Sequence, residues 1–219
     1  MNSSARLETR LIRIAALAIA GATGITSFAS ARQDTVANSA AEAKPLQVGA
    51  RVPDASIRGL DGKVVRLRSV LRGKPTVLIF YRGGWCPFCN AHLSDLAKIE
   101  PEIQNRGYQI IAVSPDVPAE LAKMVDKDHL TYRLFSDSTA EAMKKFGVAF
   151  RVDDATFSKY RDSYHIDLEK WSGETHHILP VPSVFIVDRA GKLVFVHSNP
   201  DYKVRLKGED VLEAIKSKS

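Results

Sequence analysis

Phe80-Tyr81-Arg82-Gly83-Gly84-Trp85-Cys86-Pro87-Phe88-Cys89 joins two different sequence patterns, and the reading of the fold turns on it. Upstream, Thr76 to Tyr81 (TVLIFY) is a continuous β-branched and aromatic run, as expected of a strand buried on both faces. Downstream, Leu93, Leu96, Ala97 and Ile103 recur at three- and four-residue steps from Pro87, with Gly107 as a C-terminal stop, which predicts a helix. Gly83-Gly84 breaks the strand between the two. Cys86 and Cys89, the 2 cysteines of the chain, therefore fall at a helix start. The unpaired N–H groups and positive dipole end there stabilise an anion, so a thiolate is favoured and the thiol pKa drops. Pro87 is tolerated in a first turn, where its missing N–H has no partner. Cys89, one turn later, is placed to resolve a mixed disulfide or sulfenic acid formed on its neighbour.

Working outward, Tyr108 to Val113 (YQIIAV) reads as a second apolar strand, and Pro118 opens a helix through Leu121 and Val125. Ser138 and Glu141 have the spacing of a capping box ahead of Met143 and Phe146, with Gly147 ending that helix. Val184 to Val187 and Leu193 to Val196 flank Asp188-Arg189-Ala190-Gly191 as a hairpin, and a last helix runs from Gly208 to Lys216. Val64 to Leu67 is a short strand after Asp61-Gly62. The pattern is α/β, a mixed central sheet flanked by helices, without an internal repeat. The stretch from Asp153 to Leu179 is the least regular, an insertion with a helix over Phe157, Tyr160 and Tyr164.

Of 219 residues 45% are hydrophobic and 26% charged, which excludes a disordered, collagenous or multi-span membrane chain. Arg6, Arg10 and Arg13 precede an apolar stretch from Ile14 to Ile25, and Ala29-Ser30-Ala31 has the small-x-small form of a cleavage site. A helix over that stretch rises about 18 Å, short of a hydrocarbon core of about 30 Å. Residues 1–31 are accordingly read as a signal peptide, 32–44 as a flexible linker and 45–219 as the folded domain. The expectation is an exported, periplasmic protein that meets a membrane only if the leader stays uncleaved. The net charge of +6 belongs in part to the leader, and the rest lacks the aromatic interleaving of a nucleic-acid face, so no nucleic acid is expected.

Cys-x-x-Cys is also half of a zinc site. Its completion here would fall to His176 and His177, whose adjacency lacks zinc-ligand spacing, so no metal and no other cofactor is expected. A copper-handling protein using both thiolates and one of those histidines is an alternative from a different class. No phosphate loop, nucleotide fingerprint or hydrolase elbow is present.

With these motifs the region from Pro45 to Ser219 resembles the peroxiredoxin-like AhpC/TSA (redoxin) family of the thioredoxin-fold superfamily. Trp85-Cys86-Pro87-Phe88-Cys89 resembles the W-C-x-x-C of thioredoxins, and Val181-Pro182-Ser183 their cis-proline loop. Phe80-Tyr81, Phe135-Ser136-Asp137, Phe146-Gly147-Val148 and Phe185-Ile186-Val187-Asp188 with Gly191 are similar to the peroxiredoxin framework. The resemblance implies a thioredoxin-like fold and a thiol-dependent oxidoreductase. Catalytic Cys86 and Cys89 would be supported by Trp85, Pro87 and Pro182, with a thioredoxin-like electron donor. In the peroxiredoxin register P-x-x-x-T-x-x-C, however, the attacking cysteine falls on Cys89, the Thr on Cys86 and the Pro on Arg82. Pro182 stands where that family places an Arg. In the thioredoxin register Cys86 attacks and Cys89 resolves. The leading expectation is hydroperoxide reduction at the expense of that donor, with protein-disulfide exchange without efficient peroxidase activity as the alternative, and the oligomeric state stays open. His92, one turn after Cys89, is either an influence on the thiols or an ordinary helix residue.

Overall fold

The computed structural model describes residues 35–128 and 130–217; the expected signal peptide lies outside them. In chain order the elements are β1 (Ser56–Arg58), β2 (Val64–Arg66), α1 (Leu67–Leu71), β3 (Thr76–Phe80), α2 (Pro87–Asn105), β4 (Gln109–Ser114), α3 (Pro118–Asp128), β5 (Arg133–Ser136) and α4 (Glu141–Lys145). They continue with β6 (Ala149–Arg151), α5 (Asp154–Tyr164), α6 (Leu168–Ser172), β7 (Ile178–Pro180), β8 (Ser183–Val187), β9 (Leu193–Ser198) and α7 (Gly208–Lys216). Seven strands form one sheet in the order β2-β1-β5-β4-β3-β8-β9, and β6 and β7 pair separately. The run β5-β4-β3 is parallel while β8, β9, β1 and β2 join antiparallel, so the central sheet is mixed. Among the described residues no helix is long and apolar enough to cross a membrane.

Strand alternation sorts β3 between two cores. Val77 and Ile79 face Leu93, Leu96 and Ile103 of α2 and Val211 and Ile215 of α7. Leu78 and Phe80 face Leu67 and Leu71 of α1, Met143 of α4 and Phe185 of β8. Every residue of β3 is buried, as its continuous apolar run requires. Phe80, Phe146 and Phe185 form an aromatic triangle with ring centroids 4.9, 5.1 and 5.9 Å apart. The effect is to clamp the C-terminal half of β3, and the candidate cysteines follow directly from that fixed end.

Two local expectations differ from the structure. The first turn of α4 is capped not by Ser138 but by Asp137, whose carboxylate accepts from Ala142 N at 3.0 Å and Met143 N at 2.8 Å. Ala140, with φ +59°, turns the chain so that the acid one residue earlier reaches the helix end. Of the stretch read as a linker, the described part is held against the domain: Ala37 N donates to Ala149 O at 3.0 Å and accepts at its own carbonyl from Arg151 N at 2.9 Å. This adds a short bridge to β6, whose outer edge would otherwise present unpaired backbone groups. The insertion holds the helix expected over Phe157, Tyr160 and Tyr164 as α5, and adds α6 and β7.

Candidate active site

The clamped end of β3 continues through Tyr81 and Arg82 into a turn that requires glycine. Gly83 has φ +144°, and a Cβ there would overlap the Trp85 indole nitrogen and lie 2.7 Å from Asp116 Oδ1. Gly84 N donates to Asp116 Oδ2 at 2.8 Å, and the Asn90 amide of α2 returns to Gly84 O at 2.9 Å. Cys86 is the N-cap of α2, with Pro87 in the first turn. Its carbonyl receives the N–H groups of Cys89 at 3.0 Å and Asn90 at 3.1 Å, which fixes the two sulfurs on one side of the helix start.

Charge then separates the two thiols. Arg82 Nη1 lies 3.9 Å from Cys86 Sγ, and Arg205 Nη2 lies 3.4 Å from Cys89 Sγ. The Cys89 thiol donating to Cys86 is the strongest influence on Cys86; with Arg82, the Cys89 N–H and Arg205 it outweighs burial and brings the Cys86 pKa down to about 6. Burial pushes Cys89 the other way, well above the usual thiol value, and hydrogen bonding to Cys86 adds to that rise. Cys86 is thus the ready thiolate near neutral pH, and Cys89 keeps its proton until its neighbour has reacted. Both cysteines are unpaired thiols. They are also buried, at 1% exposure each.

Distant segments pack around the turn and Arg82. Tyr160 of α5 packs against Trp85 with ring centroids 5.8 Å apart, and its hydroxyl accepts from Arg82 Nη2. Tyr202, in the loop between β9 and α7, stacks edge-on with Phe88 at 5.7 Å and lies 4.1 Å from the Arg82 guanidinium. The Trp85 ring lies against Gly83 of the turn. Pro182 borders the same region, but the Val181–Pro182 peptide is trans, in contrast to the cis-proline loop it resembles. Val181 N donates to Val148 O at 2.8 Å just before that peptide.

His92 is buried rather than an ordinary exposed helix residue. Burial, then the Arg205 charge, lowers its pKa to about 4, so it is neutral, and its Nε2 has no hydrogen-bond partner. Asp116 is buried beneath the Gly83-Gly84 turn and burial raises its pKa to about 7. His176 and His177 do not join the thiols. His176 uses Nε2 on Ser138 O at 2.7 Å and Nδ1 to accept from Ile178 N, while His177 pairs with Glu169 at 2.8 Å and stacks on Phe157. Among the described residues no group of three or more His, Cys, Asp or Glu side chains could hold a metal, so the copper reading lacks its ligands.

Sequence reasoning did not find Arg205, Tyr160, Asp116 or the role of Arg82. Arg205 is 116 residues from Cys89 and carries no local signal. Arg82 does carry one, since a positive charge between a fully buried strand and two glycines needs a partner at that end of the sheet.

A thioredoxin fold with a dithiol at the N-terminus of the helix after a central strand defines a class of redox proteins. The sequence pattern of the AhpC/TSA family matches residues 48–196, and the chain belongs to that family. The putative peroxiredoxin bcp of Haemophilus influenzae is 32% identical over 104 residues, which span 48% of this chain and 66% of that relative. The thiol-disulfide oxidoreductase ResA of Bacillus thuringiensis is 24% identical over 205 residues, covering 93% of this chain and 94% of that protein. Among solved structures, reduced Prx3 of Vibrio vulnificus in complex with H2O2 superposes with a TM-score of 0.64 at 17% identity, over 78% of this chain and 99% of that one. Peroxidoxin BcpB of Mycobacterium tuberculosis does so with a TM-score of 0.60 at 20% identity, over 78% and 96%.

Proposed function

We propose that the protein is an exported thiol–disulfide oxidoreductase in which Cys86 attacks and Cys89 resolves. The observation that carries this reading is the unequal placement of the two thiols: Cys86 caps α2 beside Arg82, which with the Cys89 hydrogen bond draws it down, while burial pushes Cys89 up. The Cys86 thiolate attacks one sulfur of a substrate disulfide, and the other sulfur leaves as a thiolate that takes a proton from water. Cys89 then loses its proton and attacks Cys86 Sγ, which releases the second substrate thiol and closes a Cys86–Cys89 disulfide. A thioredoxin-like dithiol donor returns the pair to the reduced state. The leader read from residues 1–31 supports a periplasmic setting, where such a pair meets exported disulfides.

Hydroperoxide reduction is the second reading, favoured by the likeness to the peroxiredoxins and by Arg205. In the peroxiredoxin register Cys89 attacks, and Arg205 supplies beside it the positive charge that Pro182 does not. Burial that raises the Cys89 thiol weighs against this register.

Stopped-flow mixing of the reduced protein with insulin and with hydrogen peroxide separates the two. The leading reading predicts rapid insulin reduction and peroxide consumption no faster than that of a small free thiol. Rapid peroxide turnover that survives Cys86→Ser would overturn it.

A further inference from the structure

The site holds one buried guanidinium that no carboxylate answers. Arg82 is 4% exposed, no carboxylate pairs with it among the described residues, and its Nε has no hydrogen-bond partner. Aromatic faces and the Tyr160 hydroxyl meet part of the guanidinium, and the Cys86 sulfur at 3.9 Å is its nearest anionic group. Once Cys86 is consumed in a mixed disulfide the guanidinium loses its one anionic neighbour, and a buried guanidinium without an anion is unfavourable, so the cavity it borders is a place for one. Arg82 forms part of the wall of a cavity of about 230 Å³ with Tyr160, Pro182, Tyr202 and Asn38. The other charges there are committed: Arg151 donates to His176 O, and both Asp153 oxygens receive Thr156. The volume lies below the roughly 300–1,000 Å³ of drug-sized sites and suits a small molecule.

We infer that this cavity is a subsite for a small carboxylate-bearing disulfide, whose carboxylate Arg82 holds while its sulfur meets Cys86. The inference rests on the dithiol-exchange reading above and names its substrate class. Because one guanidinium touches both the cavity and the nucleophile, the anion and the sulfur must be only a few bonds apart, as in a β-thio acid. The balance is that of ordinary exchange: one disulfide and the protein dithiol give two small thiols and the Cys86–Cys89 disulfide. The fork of arginine, with several donors in one plane, serves sulfur and carboxylate at once, which a lysine ammonium does not match.

The test uses the reduced full chain and three disulfides of similar size: 3,3′-dithiodipropionate (anionic), bis(2-hydroxyethyl) disulfide (neutral) and cystamine (cationic). Rates of thiol loss are taken at about 0.15 M ionic strength and normalised to those of dithiothreitol with the same compounds. The expected result is a preference of at least about tenfold for the dicarboxylate over the neutral compound. It should fall toward one in Arg82→Lys, which keeps the charge, and in Asn38→Trp, which fills the rim of the cavity. Equal normalised rates in the unaltered protein would overturn the subsite, as would a preference that persists in both variants or disappears at high salt in step with cystamine repulsion. If the neutral disulfide is also inert, it is the dithiol-exchange reading that fails.

Discussion

The guanidinium of Arg205 lies 3.4 Å from the sulfur of Cys89, although 116 residues separate the two in the chain. Burial alone would hold Cys89 as a permanently protonated thiol, and Arg205 is the charge that opposes this. Its loop links the last strand to α7, so the end of the chain completes a site that β3 and α2 begin. Arg82 does the same for Cys86 from the other side.

Removing that charge should slow the second chemical step rather than the first. In Arg205→Met the mixed disulfide on Cys86 is expected to live severalfold longer, because Cys89 loses the charge that draws its pKa down. His92 should respond in parallel: burial keeps its pKa lowered, but without the Arg205 charge it rises from about 4. Quenched-flow mass spectrometry reads the first effect and histidine NMR titration the second.

The hydrogen bond between the thiols is the largest downward influence on Cys86. Cys89→Ala removes it and leaves burial, which raises the value, less opposed. The midpoint of the pH dependence of Cys86 alkylation by iodoacetamide should therefore move upward from about 6.

Asp116 gives the fold a distinct pH dependence. Burial raises its pKa from 3.8 to about 7, so between those values the folded chain holds a proton that the unfolded chain has lost. Stability from this group is fully present below the unfolded value and declines as pH rises through the interval. The decline is limited to about 4 kcal/mol at about 1.4 kcal/mol per unit. Asp116→Asn removes it, so urea unfolding should show the unaltered protein losing stability relative to the variant between pH 5 and 7.5. Asp137, raised for the same reason, shifts both proteins alike and cancels in the comparison.

Gly83→Ala tests the turn itself. The positive φ and the overlap with the Trp85 ring and the Asp116 carboxylate leave no room for a Cβ. A loss of at least about 2 kcal/mol in urea unfolding is expected, with slower Cys86 alkylation as the cysteine moves off the helix end.

The sequence made legible what is local. A fully apolar run marks a central strand, three- and four-residue spacing marks α2, and two glycines before Cys-x-x-Cys put the thiols at a helix start. The hairpin at Asp188–Gly191 was readable because Gly191 adopts the left-handed conformation that such a turn needs, with φ +77°. What escaped was set by distance in the chain. Tyr160 of the insertion and Tyr202 pack around Arg82 and Arg205 reaches Cys89, and no period or spacing near residue 86 encodes any of them. Short strands such as β1 and β6 carry too few residues to alternate visibly. The cap of α4 was misplaced because Ala140 turns left-handed and brings Asp137, not Ser138, to the helix end.

Trapping of the first covalent intermediate tests the central claim most directly. Reduced Cys89→Ser and Cys86→Ser variants are mixed with a neutral disulfide at pH 7 and examined by intact mass and peptide mapping. The account predicts a stable adduct on Cys86 in Cys89→Ser, and no adduct on the comparable timescale in Cys86→Ser. An adduct that forms rapidly on Cys89 while Cys86 stays free would contradict it.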